Sequence, residues 1–196
     1  MSQPESPPVA TVETVVKLGG GVLAHREHFD AALGAIGAAA SARSLLIVPG
    51  GGPFADTVRD VDQRIGLSAA AAHWMAVLAM DQYAHLIAAK LARAVVVEDP
   101  AEISAVLGTR GIPVLAPSRW LRETDPLPHS WDVTSDSIAA WVAGRLGARR
   151  LVLVKPPCSS GESLVDAYFT RALATHVTHA AVPADEIDAL REALAG

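Results

Sequence analysis

Short apolar runs alternate along this chain with longer stretches in which apolar residues recur at helical spacing. Val15-Val16-Lys17-Leu18 is predicted to be a strand, and Leu45-Leu46-Ile47-Val48 a second. The second run is apolar without interruption, as expected of a central parallel strand covered on both faces. Between them, 27–43 is alanine-rich, with Phe29, Leu33 and Ile36 on one helical face despite Gly34 and Gly37. A shorter helix is expected over 54–65, where Asp56, Asp60 and Asp62 read as a solvated polar side. Ser68 is placed to cap a long helix running towards Leu91, on which Met75, Leu78, Gln82 and His85 fall close to one side.

The alternation continues to the end of the chain. Strands are predicted at 94–97, 112–115, 150–155 and 176–182, and helices at 101–107, 164–174 and 184–195. A further helix begins at Thr134 or Ser135 and runs through Ala139 and Val142 to Gly147, where glycine ends it. The prolines of 124–128 mark a loop, and Pro156-Pro157 stops the strand before a polar loop over 158–162. No fixed-period repeat or heptad seam interrupts this order, so the pattern predicts an α/β chain with a mainly parallel sheet. Ligands of such sheets gather where strands end and turns begin.

Composition narrows the picture. With 196 residues and 51% hydrophobic content the chain can bury a sizeable core, and 11–196 is expected to form one domain. Residues 1–10 carry Glu5 and several prolines in place of a basic region followed by an apolar one, so a flexible leader is expected there rather than a secretion signal. The net charge of −5 and the absence of a basic stripe argue against a nucleic-acid partner. Charged and polar residues through 68–91 argue against a membrane span. Cys158 is the sole cysteine, which excludes an intrachain disulfide and suits a reducing, cytoplasmic setting.

The candidate chemistry sits at the strand ends. Lys17 precedes Gly19-Gly20-Gly21, and Pro49 precedes Gly50-Gly51-Gly52. Glycines let backbone N–H groups approach an anion closely while the ammonium supplies a full charge, so both turns point to phosphate handling. A Walker-type Gly-x-x-x-x-Gly-Lys-Ser/Thr loop is absent. Gly19-x-Gly21-x-x-Ala24 meets a loose dinucleotide pattern, but Pro49-Gly50 stands where that pattern needs a ribose-binding acid. Asp81 and His85, four apart on a helix with His73 nearby, read first as a surface hydrogen bond rather than a metal site. Lining an acceptor pocket is the more useful role for His73 and Asp81, with Trp74, Tyr83 or Trp131 against a flat ring. No Gly-x-Ser-x-Gly elbow accompanies Ser130 and His129, which excludes a hydrolase triad.

Taken in order, Val16-Lys17-Leu18-Gly19-Gly20-Gly21, Val48-Pro49-Gly50-Gly51-Gly52 and Val133-Thr134-Ser135-Asp136-Ser137-Ile138 resemble the amino-acid kinase superfamily over most of the chain. The segments around Ala72-His73-Trp74-Met75 and Pro128-His129-Ser130-Trp131-Asp132 look most like the small kinases of methanofuran biosynthesis, which convert an aminomethylfuran-methyl phosphate to its diphosphate with ATP. The resemblance implies a three-layer αβα sandwich and a kinase using ATP and Mg²⁺. It implies that Lys17 neutralises the transferring phosphoryl group and that Gly19, Gly20 and Gly21 donate to phosphate oxygens. Gly50, Gly51 and Gly52 would cradle the acceptor, with Thr134 and Ser135 near the nucleotide and Asp136 either orienting the lysine or holding Mg²⁺. Substrate contacts would extend to His73, Asp81 and Trp131, the partner being a small phosphorylated molecule. A homo-oligomer, dimer or larger, is also implied.

Two departures stand out. Gly21 replaces the serine that many such kinases carry, removing a hydroxyl donor but not the backbone one. After the fifth strand, Lys155-Pro156-Pro157-Cys158 replaces the usual nucleotide loop and no later glycine pair with a second lysine follows, so Lys155 is the candidate for the missing positive charge. The alternative reading is a noncatalytic nucleotide- or anion-binding protein that retains the kinase fold.

Overall fold

The computed structural model describes residues 11–159 and 164–196; the leader expected over 1–10 and part of the loop expected over 158–162 lie outside them. Six strands form one sheet in the order β3-β4-β2-β1-β5-β6, and every pairing is parallel. They are β1 (Thr14–Leu18), β2 (Leu45–Pro49), β3 (Ala94–Val97), β4 (Ile112–Leu115), β5 (Arg150–Lys155) and β6 (Thr178–Pro183). Between them run α1 (Arg26–Ala39), α2 (Gly52–Ile65), α3 (Ala69–Lys90), α4 (Pro100–Gly108), α5 (Ser118–Thr124), α6 (Ser135–Arg145), α7 (Phe169–Ala172) and α8 (Ile187–Ala195). A short 3-10 helix, Gly20–Ala24, opens the β1–α1 connection.

Helices cover both faces of the sheet, giving the three-layer αβα arrangement. Because strand side chains alternate in direction, parity decides which layer each one enters. Val15, Leu46, Val48, Leu151 and Leu153 pack with α6 residues such as Ile138 and Val142. Val16, Leu18, Ile47, Val152 and Val154 pack with Phe29 of α1 and Leu190 of α8. The same parity sends Lys17 and Lys155 towards the α6 layer, two residues beyond Val15 and Leu153. Strands β1, β2 and β5 are buried along almost their whole length, which explains their nearly unbroken apolar sequence.

The chain moves outward from β1 through β2 to β3 and β4, then crosses back to β5 on the other side of β1. This reversal beside β1 is where an open parallel sheet leaves a crevice at its carboxyl edge. Both glycine turns and Lys155 lie on that edge. Gly19 N donates to Val154 O at 2.8 Å, and Gly50 N donates to Leu18 O at 2.8 Å, so the turns are fastened to neighbouring strands. Backbone atoms of Gly52 occupy the space a side chain on Gly20 would need, and Gly52 itself has a φ of 57°, in the left-handed region.

Two expectations for secondary structure need correction. The helix expected over 164–174 is reduced to α7, because the Asp166 carboxylate takes the Tyr168 amide in a local turn and reaches across to other donors. The chain also forms α5 just before the expected loop, with Trp120 and Leu121 buried beneath it.

Replacing Gly20 by Ala is expected to force the two turns apart and cost about 1 to 3 kcal/mol or more, as overpacking does. Gly34→Ala is the control: its α1 position has open space for a methyl group, so stability should be unchanged or rise by up to about 1 kcal/mol. Urea unfolding midpoints of the two variants measure the contrast.

Candidate active site

Lys17, Asp136 and Lys155 meet at the carboxyl edge of the sheet. Lys17 is the penultimate residue of β1 and Lys155 the last of β5, on adjacent strands and with the same side-chain parity. Asp136 comes from the first turn of α6, which lies over that face. Lys155 Nζ donates to Asp136 Oδ2 at 2.6 Å. Lys17 Nζ is 2.8 Å from Oδ1, an ion contact off the hydrogen-bonding direction. The three residues are 5%, 5% and 7% exposed, so these are charges in a largely dry setting. Burial alone would raise the Asp136 carboxyl, but attraction to the two ammonium groups, with the hydrogen bond from Lys155, holds it below the ordinary carboxylate range. Burial and the neighbouring Lys17 push the Lys155 ammonium below the usual lysine range, with Asp136 opposing them.

The start of α6 is fixed by a residue that sequence reasoning missed. Asp166 accepts from Thr134 N at 2.9 Å, Thr134 Oγ1 at 2.7 Å and Ser137 N at 3.0 Å, and also from Ser137 Oγ. A carboxylate at a helix N-terminus satisfies otherwise orphaned amides and favours the helix dipole. The Thr134 hydroxyl is therefore engaged in holding α6, and through α6 it sets Asp136 between the lysines. The legible signal was confined to the capping pattern at Thr134; the partner lies more than two dozen positions away in sequence.

A cleft of about 460 Å³ runs up to the residues flanking this triad. Gly20, Gly21, Gly51, Gly52, Thr134 and Ser135 contribute to one part of its wall, and α2, α3 and Trp131 to the rest. The amides at the start of α2 have no intrahelical acceptors and present the positive end of that helix's dipole. The remaining lining sets apolar Ala72, Ala76, Val77, Met80 and Ile138 beside polar Asp56, Arg59, Asp62 and His73.

The other expected site residues divide. His73 and Trp131 line the cleft. Trp131, at 37% exposed, donates from Nε1 to Asp62 Oδ2 at 2.8 Å, while Arg59 lies over its ring. Asp62 also takes the Leu67 amide at 2.8 Å, so it is a structural bridge and not part of a solvated face. Gly19 and Gly50 lie outside the lining, pinned to neighbouring strands. Asp81 lies elsewhere: it accepts from Ser118 N at 3.1 Å at the start of α5, and burial raises its carboxyl against the help of that bond. An acid on α3 was equally compatible with either use, since helical spacing does not reveal what packs opposite.

The Amino acid kinase family model matches residues 13–156, the span from β1 to just beyond β5 that holds both glycine turns and the whole triad. The chain belongs to the amino acid kinase family. Over 111 residues it is 29% identical to a [5-(aminomethyl)furan-3-yl]methyl phosphate kinase of Methanocaldococcus jannaschii, a match covering 57% of the chain and 51% of that relative. The chain thus spans about half the length of the curated relative it matches. Among solved structures, UMP kinase from Ureaplasma parvum aligns with a TM-score of 0.64 at 12% identity, covering 91% of this chain and 92% of that one. UMP kinase from Bacillus anthracis gives 0.62 at 14%, covering 95% and 93%. Uridylate kinase from Archaeoglobus fulgidus gives 0.58 at 20%, covering 80% and 69%. These likenesses establish the fold.

Amino acid kinases handle nucleotide phosphates, and the donor set here fits such a group: two buried ammonium ions beside glycine amides and a helix N-terminus. Asp136 is a poorer fit as a metal ligand, because both of its oxygens already face lysines. No group of three or more His, Cys, Asp or Glu side chains able to hold a metal occurs among the described residues. No helix among them is long and apolar enough to cross a membrane.

Asp136→Asn leaves two buried ammonium groups without a counter-charge and is expected to cost about 3 to 5 kcal/mol at neutral pH. The folded-state pKa of Asp136 is depressed, so its stabilisation is complete above the unfolded value of about 4 and is lost as pH falls through the lower folded value. The stability gap between wild type and Asp136→Asn should therefore shrink on acidification, as measured by urea unfolding between neutral and strongly acidic pH.

Proposed function

We propose that this chain is a kinase that transfers the γ-phosphoryl group of Mg-ATP to a small phosphorylated acceptor of the [5-(aminomethyl)furan-3-yl]methyl phosphate class, forming a diphosphate and ADP. The observation carrying the proposal is the convergence of Lys17 and Lys155 on Asp136 beside the two glycine turns. The acceptor class comes from the M. jannaschii relative, and a cleft of about 460 Å³ with both apolar and charged lining suits a small molecule of that kind.

When bound, Mg-ATP supplies the phosphoryl group and a leaving ADP. Lys17 and Lys155 offset negative charge on the phosphates, and Asp136 holds both ammonium groups in place before substrate arrives. The amides of Gly20 and Gly21 serve one side of the transfer site, and those of Gly51 and Gly52 the acceptor side. Gly19 and Gly50 keep the turns fastened to the strands. Thr134 and Ser135 shape the wall between them, with Thr134 acting through the start of α6. An acceptor phosphate oxygen is already anionic, so the chain need supply no general base; catalysis is positioning and electrostatics. Magnesium would be held mainly by the nucleotide phosphates. A homo-oligomer in the cytoplasm completes the proposal, on the strength of the family resemblance.

With Mg-ATP and this acceptor, purified protein should release ADP and form the furan diphosphate. Lys17→Ala should lower kcat about 10²- to 10³-fold while leaving the unfolding midpoint high enough for a folded enzyme. Nucleotide binding by calorimetry with no ADP released from any of a panel of small phosphates would overturn the kinase reading in favour of a binding protein.

A further inference from the structure

The glycine turns and the start of α6 form one part of the cleft wall. Elsewhere in the lining, α2 contributes the carboxylates of Asp56 and Asp62 against the single guanidinium of Arg59, and α3 contributes His73. Most of these polar side chains are already engaged. Asp62 holds Leu67 N and Trp131 Nε1, while Arg59 bonds Asp56 at 3.0 Å on the exposed rim. His73 is different. It is 8% exposed and lines the cleft, and neither ring nitrogen has a hydrogen-bond partner among the described residues.

The imidazole is also held rigidly. His129 stacks on it with centroids 4.4 Å apart and ring planes 17° from parallel. Trp74 meets His73 nearly edge-on at 5.0 Å and His129 at 5.4 Å. His129 Nε2 lies 2.9 Å from Asp125 Oδ1, which holds the second ring of the stack in place. The surroundings disfavour a charge on His73. Burial and His129 both push its pKa below the ordinary histidine value, against the pull of Asp125. A neutral imidazole carries one nitrogen lone pair able to accept a hydrogen bond. With no partner among the described residues, that lone pair is available to a donor on a ligand in the cleft.

We infer that His73 reads a protonated amine on the acceptor, accepting its hydrogen bond where α3 lines the cleft. The preferred substrate is then bipolar: a phosphate at the glycine turns, a short apolar body along the alanine-rich wall, and a cationic amine between His73 and the α2 carboxylates. His129 acts through His73, keeping its ring placed by stacking and disfavouring its charged form, and Asp125 in turn holds His129. This inference rests on the cleft being the acceptor site of the proposed kinase.

The test compares [5-(aminomethyl)furan-3-yl]methyl phosphate with the analogue bearing a methyl group in place of the aminomethyl group. Both binding by calorimetry and turnover with Mg-ATP are measured. Wild type is expected to prefer the amine-bearing compound by tenfold or more. His73→Ala should erase most of that preference by raising the acceptor's KM or Kd, with kcat and the KM for ATP little changed. His73→Gln, which restores an acceptor oxygen, should recover part of the preference, and a retained unfolding midpoint separates lost recognition from lost folding. Equal discrimination by wild type and folded His73 variants would overturn the inference while leaving a turning-over kinase intact. Amine-dependent binding that His73→Ala abolishes, in a protein that never releases ADP, would support the inference and overturn the kinase reading. Absence of preference in the wild type, or of binding to either compound, would overturn the inference outright.

Discussion

A buried carboxylate shared by two lysines is the constraint on which the rest of the arrangement depends. Two like charges brought to neighbouring strand ends repel each other and resist desolvation; Asp136 is what allows Lys17 and Lys155 to remain close together in a nearly dry site. The sheet must therefore bring β1 and β5 side by side, and α6 must begin directly over their ends. Topology meets the first demand, since the chain returns from β4 to the far side of β1. Asp166 meets the second by taking the amides and hydroxyls of Thr134 and Ser137. The lysine-bearing edge is thus pre-organised by interactions from three distant parts of the sequence.

The glycine turns are matched to that edge by close packing. Gly20 and Gly52 meet backbone to backbone, which places the start of the 3-10 helix against the N-terminus of α2 with no side chain between them. The resulting cleft combines glycine backbone, apolar residues of α3 and α6 and charged side chains of α2 in one lining.

Much of this was legible from the residues. Unbroken apolar runs identified the central strands because burial on both faces leaves no polar positions in β1, β2 and β5 apart from their ends. Lysines at two of those ends, with glycines following the first, were visible for the same reason: they break the pattern where a parallel sheet opens. Other parts depended on which surfaces meet. Asp62 and Asp81 are both acids on helices, yet one bridges to Trp131 beside the cleft and the other holds the start of α5. Asp166 looked like one more helix position, whereas its carboxylate forms the anchor of another helix. The stack of His73 on His129 joins residues separated by the whole α3–α5 excursion, and no local spacing encodes it.

If the lysine–carboxylate cluster is built for a phosphoryl group in transit, it should bind charge at the transition state more strongly than at the ground state. The most direct measurement is the affinity for ADP with the acceptor, with and without aluminium fluoride, in wild type and Lys17→Met. The account requires aluminium fluoride to tighten wild-type binding by at least a hundredfold, and this gain to disappear in Lys17→Met while ADP affinity changes little. An equal gain in the two proteins, or none in the wild type, would contradict it.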